Sequence, residues 1–154
     1  MTTQYWLMKS EPTSYSIDDL KRDKKTFWSG VRNFQARNFM RDQMKTGDLA
    51  FFYHSNAEPS GVAGIMRICK AGYADTTAFD PKDKHFDPKS IPTRPQWFMV
   101  DVQFVEKLPR FVSLEEIKRN PKLSGIMVAM RGSRLSIQPV SKAHFEIIQK
   151  MGGG

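Results

Sequence analysis

Hydrophobic and polar residues alternate, or apolar residues run together, in several short stretches of this 154-residue chain, as is typical of β-strands. Strands are predicted at residues 5–9, 49–54, 61–73, 97–105 and 135–139. In the first strand, Trp6 and Met8 face one side and Leu7 faces the other. The second and third are expected to pair antiparallel, because a loop containing Gly, Ser and Pro joins them. Between the first two strands, Phe27 and Trp28 are expected to return to the core.

Helix-start signals and helical spacing predict short helices between these strands. A serine followed three positions later by an acidic residue opens a helix at Ser16 and again at Ser113. Asn33 can cap a helix over residues 35–45, where apolar residues recur every three or four positions. Ser141 opens the last helix of the chain.

Residues 75–95 carry four prolines and scattered charges without periodicity, which predicts a long loop. Loops of this length in compact domains are usually functional or mobile. Five or six short strands with small helices between them indicate an α+β fold, with a closed or strongly curved mixed β-barrel and short flanking helices. At this length the chain is predicted to form a single domain over residues 1–154.

The charge balance favours a polyanionic partner. The chain has 24 lysines and arginines against 16 aspartates and glutamates, a net charge of +8, which suits nucleic acid. Many small proteins are basic without such a partner, so charge alone is weak support. No apolar run approaches the ~20 residues of a membrane span, and the N-terminus does not resemble a leader. We therefore expect no membrane partner and a cytoplasmic location.

Catalytic and metal-binding patterns are absent from the sequence. His54 and Ser55 are adjacent, but neighbouring strand residues face opposite sides, so they are not expected to pair as base and nucleophile. The three histidines lack the spacing of metal ligands. The single cysteine, Cys69, lies in an apolar strand pattern where inert thiols are common. Since the chain also lacks a glycine-rich phosphate loop, it is predicted to be a binding protein without metal or cofactor, not an enzyme.

The segment from Trp28 to Asn38 combines an aromatic ring, a flexible glycine, amides and guanidiniums in eleven residues. Gly30 permits a sharp turn into the helix that follows. A ring beside amides at a helix start can hold a flat, polar ligand, because the ring stacks and the amides read its edges. The alternative is a buried tryptophan beside an ordinary capped helix. The succession of Arg32, Arg37 and Arg41 favours the interpretation that this segment binds a ligand.

Several blocks of the chain resemble the EVE domain family, in the same order and nearly from end to end. These blocks are residues 5–12, 28–38, 51–56, 97–105 followed by 110–111, and 134–139. The resemblance implies a PUA-like β-barrel related to the YTH domains, which read methylated adenine in RNA. It also implies recognition of a modified base, in particular a modified cytosine in DNA, that is flipped into a pocket.

Two groups of site residues are predicted with this resemblance. The base pocket is expected to comprise Trp28, Asn33, Ser10, Trp6, Tyr53, Ser55, Met8 and Val31. The nucleic-acid backbone is expected to be held by Lys9, Arg32, Arg37, Asn38, Arg131 and Arg134. Trp28, with Trp6 or Tyr53, would stack on the base, since stacking recovers about 1–3 kcal/mol per base. Met8 would contact a methyl group, or else simply pack in the core, and Trp6 is open to the same alternative.

The edges of the base are expected to be read by hydrogen bonds from Asn33, Ser10 or Ser55, because an unpaired buried edge is costly. The expected partner is nucleic acid, either modified DNA or RNA, bound by a monomer. One alternative is an RNA-binding protein of PUA-like fold associated with RNA modification. The other is a module that binds a small molecule or a protein through the same aromatic pocket.

Overall fold

The computed structural model describes residues 2–132 and 134–154, and within them six strands form one mixed sheet. The strands are β1 (Tyr5–Ser10), β2 (Lys25–Trp28), β3 (Leu49–His54), β4 (Gly61–Ala74), β5 (Phe98–Ser113) and β6 (Ile137–Val140). Their order in the sheet is β2-β5-β4-β3-β1-β6. Neighbouring strands are antiparallel except β1 and β3, which are parallel. The α+β prediction of five or six mixed strands is confirmed, in a sheet that is not closed between β2 and β6 over the described residues.

Four α-helices flank the sheet in the described part of the chain, and capping residues begin them as predicted. They are α1 (Ile17–Asp23), α2 (Phe34–Asn38), α3 (Leu114–Arg119) and α4 (Lys142–Met151). Ser16 and Ser113 each form a capping box, in which the serine side chain and the acidic residue three positions later bond reciprocally to backbone N–H groups. Asn33 caps α2, and Ser141 caps α4.

The sheet buries side chains on both of its faces. Trp6 and Met8 belong to one core cluster and Leu7 to the other, which confirms the predicted alternation of β1. The expectation that Phe27 returns to the core is wrong, since its side chain is 55% exposed. Alternation along β2 gives the inward position to Trp28 and turns its neighbour outward.

Other differences between the predicted and the observed elements concern the residues at which strands and helices end. β5 continues past Val105, because residues up to Ser113 keep pairing with β4 across several register shifts. The helix expected over residues 35–45 is α2 followed by a π-helical turn, Phe39–Gln43. The loop predicted at residues 75–95 is confirmed, with one 3₁₀ turn near its beginning.

Candidate functional site

A cavity of about 390 Å³, the main cavity, lies between β1 and the edge strand β2. Four segments line it, contributing Lys9, Ser10, Ser14, Tyr15, Thr26, Phe27, Trp28, Ser29 and His85. The size falls within the range of roughly 300–1,000 Å³ that is common for small-ligand sites. Most of these residues carry a hydroxyl or a charge, so polar groups surround the aromatic side chains.

Trp28 forms a rigid aromatic wall of the main cavity. Its side chain is 9% exposed and packs edge-on against Phe52, with ring centroids 5.4 Å apart and an interplanar angle of 79°. Phe52 is itself fully buried on β3. Because the core fixes the position of the Trp28 ring, a ligand can stack on it without a further loss of side-chain conformational entropy.

The turn after β2 is closed by a contact between Gly30 and His85. Gly30 has a φ of +80°, a left-handed conformation that glycine adopts without strain. A Cβ at this residue would lie 2.6 Å from Cε1 of the His85 ring. The imidazole therefore rests directly on the backbone of residue 30 and reaches the main cavity from the long loop.

Arg32 fastens this loop to the turn. Its Nη1 donates to Oδ2 of Asp75 at 3.0 Å, and its Nε and Nη2 donate to the backbone oxygen of His85 at 3.1 and 2.7 Å. Asp75 is fully buried and also accepts from the backbone N–H of Gly30 at 2.8 Å. Burial alone would raise the pKa of Asp75, but hydrogen bonds from Thr77, Gly30 and Arg32 hold that pKa below its ordinary value.

Of the residues predicted for the base pocket, the structure places Trp28 and Ser10 at the main cavity. The Ser10 hydroxyl donates to the backbone oxygen of Tyr15 at 2.7 Å. Ser55 lines an adjoining hollow, the side cavity. The side cavity is lined by Lys9, Glu11, Ser14, Gly30, Ser55, Asn56, Lys84, His85, Arg134 and Ser136.

The other predicted pocket residues are not among those that line the main cavity. Met8 and Val31 pack in the same core cluster as Trp28, and Tyr53 packs in the core cluster of the opposite sheet face. Trp6 is 1% exposed, and its indole N–H donates to the buried carboxylate of Asp48 at 3.1 Å. The exposed Asn33 accepts from the backbone N–H of Ala36, which is its capping bond.

The predicted backbone-binding residues do not form one continuous rim. Lys9 and Arg134 meet at the side cavity, where burial lowers the pKa of the Lys9 ammonium. Arg131 lies instead beside a separate groove next to α3. Arg37 donates to Asn38 Oδ1 at 2.9 Å and to the backbone oxygen of Gln96 at 2.7 Å. Arg32 likewise uses its guanidinium within the protein.

Sequence reasoning missed Tyr15, Lys84 and His85 as lining residues. Tyr15 donates to Asp23 at 2.8 Å, and burial, reinforced by Asp23, raises the pKa of its phenol to about 12. A tyrosine just before a capping box is a local signal that could have drawn attention to it. Lys84 and His85 lie in an aperiodic loop, where no pattern marks them.

His54 has a structural role in the protein. Its Nε2 accepts a hydrogen bond from the backbone N–H of Ile17 at 3.2 Å, which links β3 to the start of α1. Burial lowers the pKa of the His54 imidazole below its ordinary 6.5. Over residues 2–132 and 134–154, no cluster of three or more His, Cys, Asp or Glu side chains is arranged to hold a metal ion. None of the helices described there is long and apolar enough to span a membrane.

The profile of the EVE domain family matches residues 4–151. The chain belongs to the EVE domain family. This EVE domain is 46% identical to human thymocyte nuclear protein 1 over 164 residues, which cover 95% of this chain and 72% of that protein. EVE domains of this kind are binding domains of the PUA-like fold, not enzymes.

Two solved structures place this EVE domain among its neighbours. Human THYN1 in complex with DNA containing 5-methylcytosine superimposes with a TM-score of 0.90 at 42% identity, covering 99% of each chain. A YTH domain of the Zygosaccharomyces rouxii MRB1 protein, in complex with N6-methyladenosine RNA, has a TM-score of 0.53 at 15% identity. That alignment covers 97% of this chain and 86% of the YTH chain, and it demonstrates a shared fold.

Proposed function

We propose that this EVE domain reads a modified base in DNA, with 5-methylcytosine as the first candidate, by taking the flipped base into the main cavity against Trp28. The observation that carries the proposal is a rigid tryptophan wall facing polar groups from four chain segments. It is supported by the relative, 42% identical in sequence, that binds DNA containing 5-methylcytosine. The net charge of +8 suits the same partner.

The energetics of the main cavity are compatible with a flipped base. Extruding a base costs a few kcal/mol of stacking and pairing, and stacking on an aromatic ring returns about 1–3 kcal/mol. Hydrogen bonds must supply the remainder. Since the Ser10 hydroxyl donates to Tyr15, its oxygen can accept from an amino group, and cytosine presents an exocyclic amine.

The side cavity is proposed to hold the phosphates on either side of the flipped nucleotide. Lys9, Lys84 and Arg134 bring positive charge to a hollow that shares Lys9, Ser14 and His85 with the main cavity. Cations in such a position bind any sequence equally, because phosphates carry no information about the base. Recognition and affinity are thus assigned to neighbouring but separate surfaces.

The proposal is tested with duplexes that differ in one central cytosine, which is unmodified, 5-methylated or 5-hydroxymethylated, together with matched RNA and single strands. We expect the wild-type domain to prefer a modified DNA duplex, and Trp28→Ala to abolish that preference while the domain remains folded. The Trp6→Phe variant serves as a control, since Trp6 lies outside the main cavity. Equal affinity for all cytosines would overturn the proposal, and preferential binding of RNA would redirect it to the alternative polymer.

A further inference from the structure

Phe27 is an exposed aromatic residue at the margin of the main cavity. It belongs to the lining residues, yet 55% of its side chain is accessible to solvent. Its neighbour Trp28 turns into the core, so Phe27 projects from the outer face of β2. Among the described residues, neither an aromatic ring nor a cation packs on the Phe27 ring.

Phe34 shows that exposure alone does not distinguish Phe27. Phe34 is also 55% exposed, but its ring stacks on Trp97 with centroids 4.7 Å apart. The guanidinium of Arg37 lies 4.8 Å from the centroid of the same ring. Partners within the protein thus account for Phe34, whereas the apolar surface of Phe27 has no such explanation.

We propose that Phe27 stacks against the duplex at the position that the flipped base leaves, an inference that rests on the proposed function. When a base leaves the helix, its two neighbours lose a stacking partner, and an inserted apolar side chain can replace it. The exposed Lys25 lies two positions before Phe27 on the same edge strand, and the exposed Lys24 lies just before that strand, so both can meet the phosphates of that duplex. A duplex therefore matches both the ring and the charges around it.

This role differs from that of Trp28 in what it acts upon. Trp28 contacts the flipped base, whereas Phe27 stabilises the duplex from which the base has departed. Loss of Phe27 should therefore weaken binding wherever a paired base must be extruded. It should leave the preference for a modified base intact, because Phe27 touches the neighbours of that base and not the base itself.

The test uses a target cytosine in two settings, each with and without the 5-methyl group. In one setting the cytosine is paired within a duplex; in the other it is a single-nucleotide bulge, where the flanking pairs stack on each other and leave no gap. We expect Phe27→Ala to weaken binding of the paired duplexes about tenfold or more, in line with loss of one stacking contact. Binding of the bulged duplexes should change less than about threefold, and Phe27→Trp should restore paired-duplex binding.

Phe34→Ala is the matched control, since it removes an equally exposed ring whose partners lie within the protein. Its affinities should stay near those of the wild type in both settings, and melting temperatures show that each variant is folded. If Phe27→Ala lost affinity equally for paired and bulged duplexes, the proposed stacking of Phe27 against the duplex would be overturned. An unchanged affinity for both would overturn it too, and is the result expected if Phe27 contacts a protein partner. Failure of the proposed function is distinguishable, because the wild-type domain would then ignore the 5-methyl group in both settings.

Discussion

A side chain at residue 30 would collide with the imidazole of His85, because a Cβ on Gly30 would lie 2.6 Å from Cε1 of that ring. The two residues come from segments that are far apart in the sequence, the turn after β2 and the long loop. Asp75 strengthens the same junction by accepting from the backbone N–H of Gly30. The turn that follows Trp28 and the loop that carries His85 thus form one unit.

Gly30→Ala should therefore weaken DNA binding by more than the loss of folding stability alone would explain. A residue with a Cβ at positive φ costs on the order of 1 kcal/mol, and here the His85 ring must also move. Gly47→Ala is the control, because Gly47 has a φ of +98° and, its chain neighbours aside, no atom of the described residues lies within 4 Å of its Cβ position. Both variants should melt at lower temperature, but affinity for modified DNA should fall in Gly30→Ala alone. Similar affinities in the two variants would contradict a role for the contact with His85.

Arg32→Gln should destabilise the fold strongly. Asp75 is fully buried, and removing one partner of such a pair costs about 3–5 kcal/mol because the remaining charge stays unpaired. Denaturant unfolding measures the loss, and the double variant Arg32→Gln with Asp75→Asn should recover part of it. If Arg32 instead bound phosphate, its variant would be nearly as stable as the wild type and would bind DNA with a lower salt dependence.

Arg134→Gln should reduce DNA affinity for modified and unmodified duplexes alike. The exposed Arg134 lines the side cavity, so its loss should lower the slope of log affinity against log salt by about one unit. Arg131→Gln should leave the slope unchanged, since Arg131 lies at the separate groove beside α3. A salt titration of both variants measures the two slopes. A slope for Arg134→Gln that is no lower than the slope for Arg131→Gln would show that the side cavity does not bind phosphate.

His54 should make stability depend on pH in the mildly acidic range. Burial holds the pKa of the folded His54 below its ordinary 6.5, so the unfolded chain takes up the proton at higher pH than the folded chain. The stabilising contribution is present above pH 6.5 and is lost as the pH falls through the folded pKa. Melting temperatures between pH 8 and pH 5 should decline more in the wild type than in His54→Gln. Parallel curves would show that His54 does not supply the slope.

The elements of this fold could be predicted where the determining interactions are local. The capping serines Ser16 and Ser113 mark helix starts because the bonds span three residues. The sequence predicts both the first and the last residue of the strand over residues 49–54, since an apolar run forms this strand and turn residues flank it. By contrast, the approach of His85 to Gly30 depends on how the whole loop folds back, and no local pattern encodes it.

The same limit applies to the aromatic residues of the site. Trp6, Trp28 and Tyr53 look alike as ring-bearing strand residues, but only tertiary packing decides which ring faces a cavity. Trp6 satisfies its indole N–H with a buried carboxylate, which accounts for it as a core residue. Tyr53 falls on the opposite sheet face from Trp28, a relation that the periodicity of separate strands cannot supply.

The unclosed sheet has a consequence for how a long polymer can approach. A free strand edge normally invites a second strand to add to it, in this protein or from another chain. Here β2 has four residues and begins at the exposed Lys25, and β6 has four residues with the exposed Pro139 among them. Short length, lysine and proline each discourage such pairing. The sheet edge next to Trp28 therefore remains unpaired, and a nucleic-acid helix can bind along it without first displacing another strand.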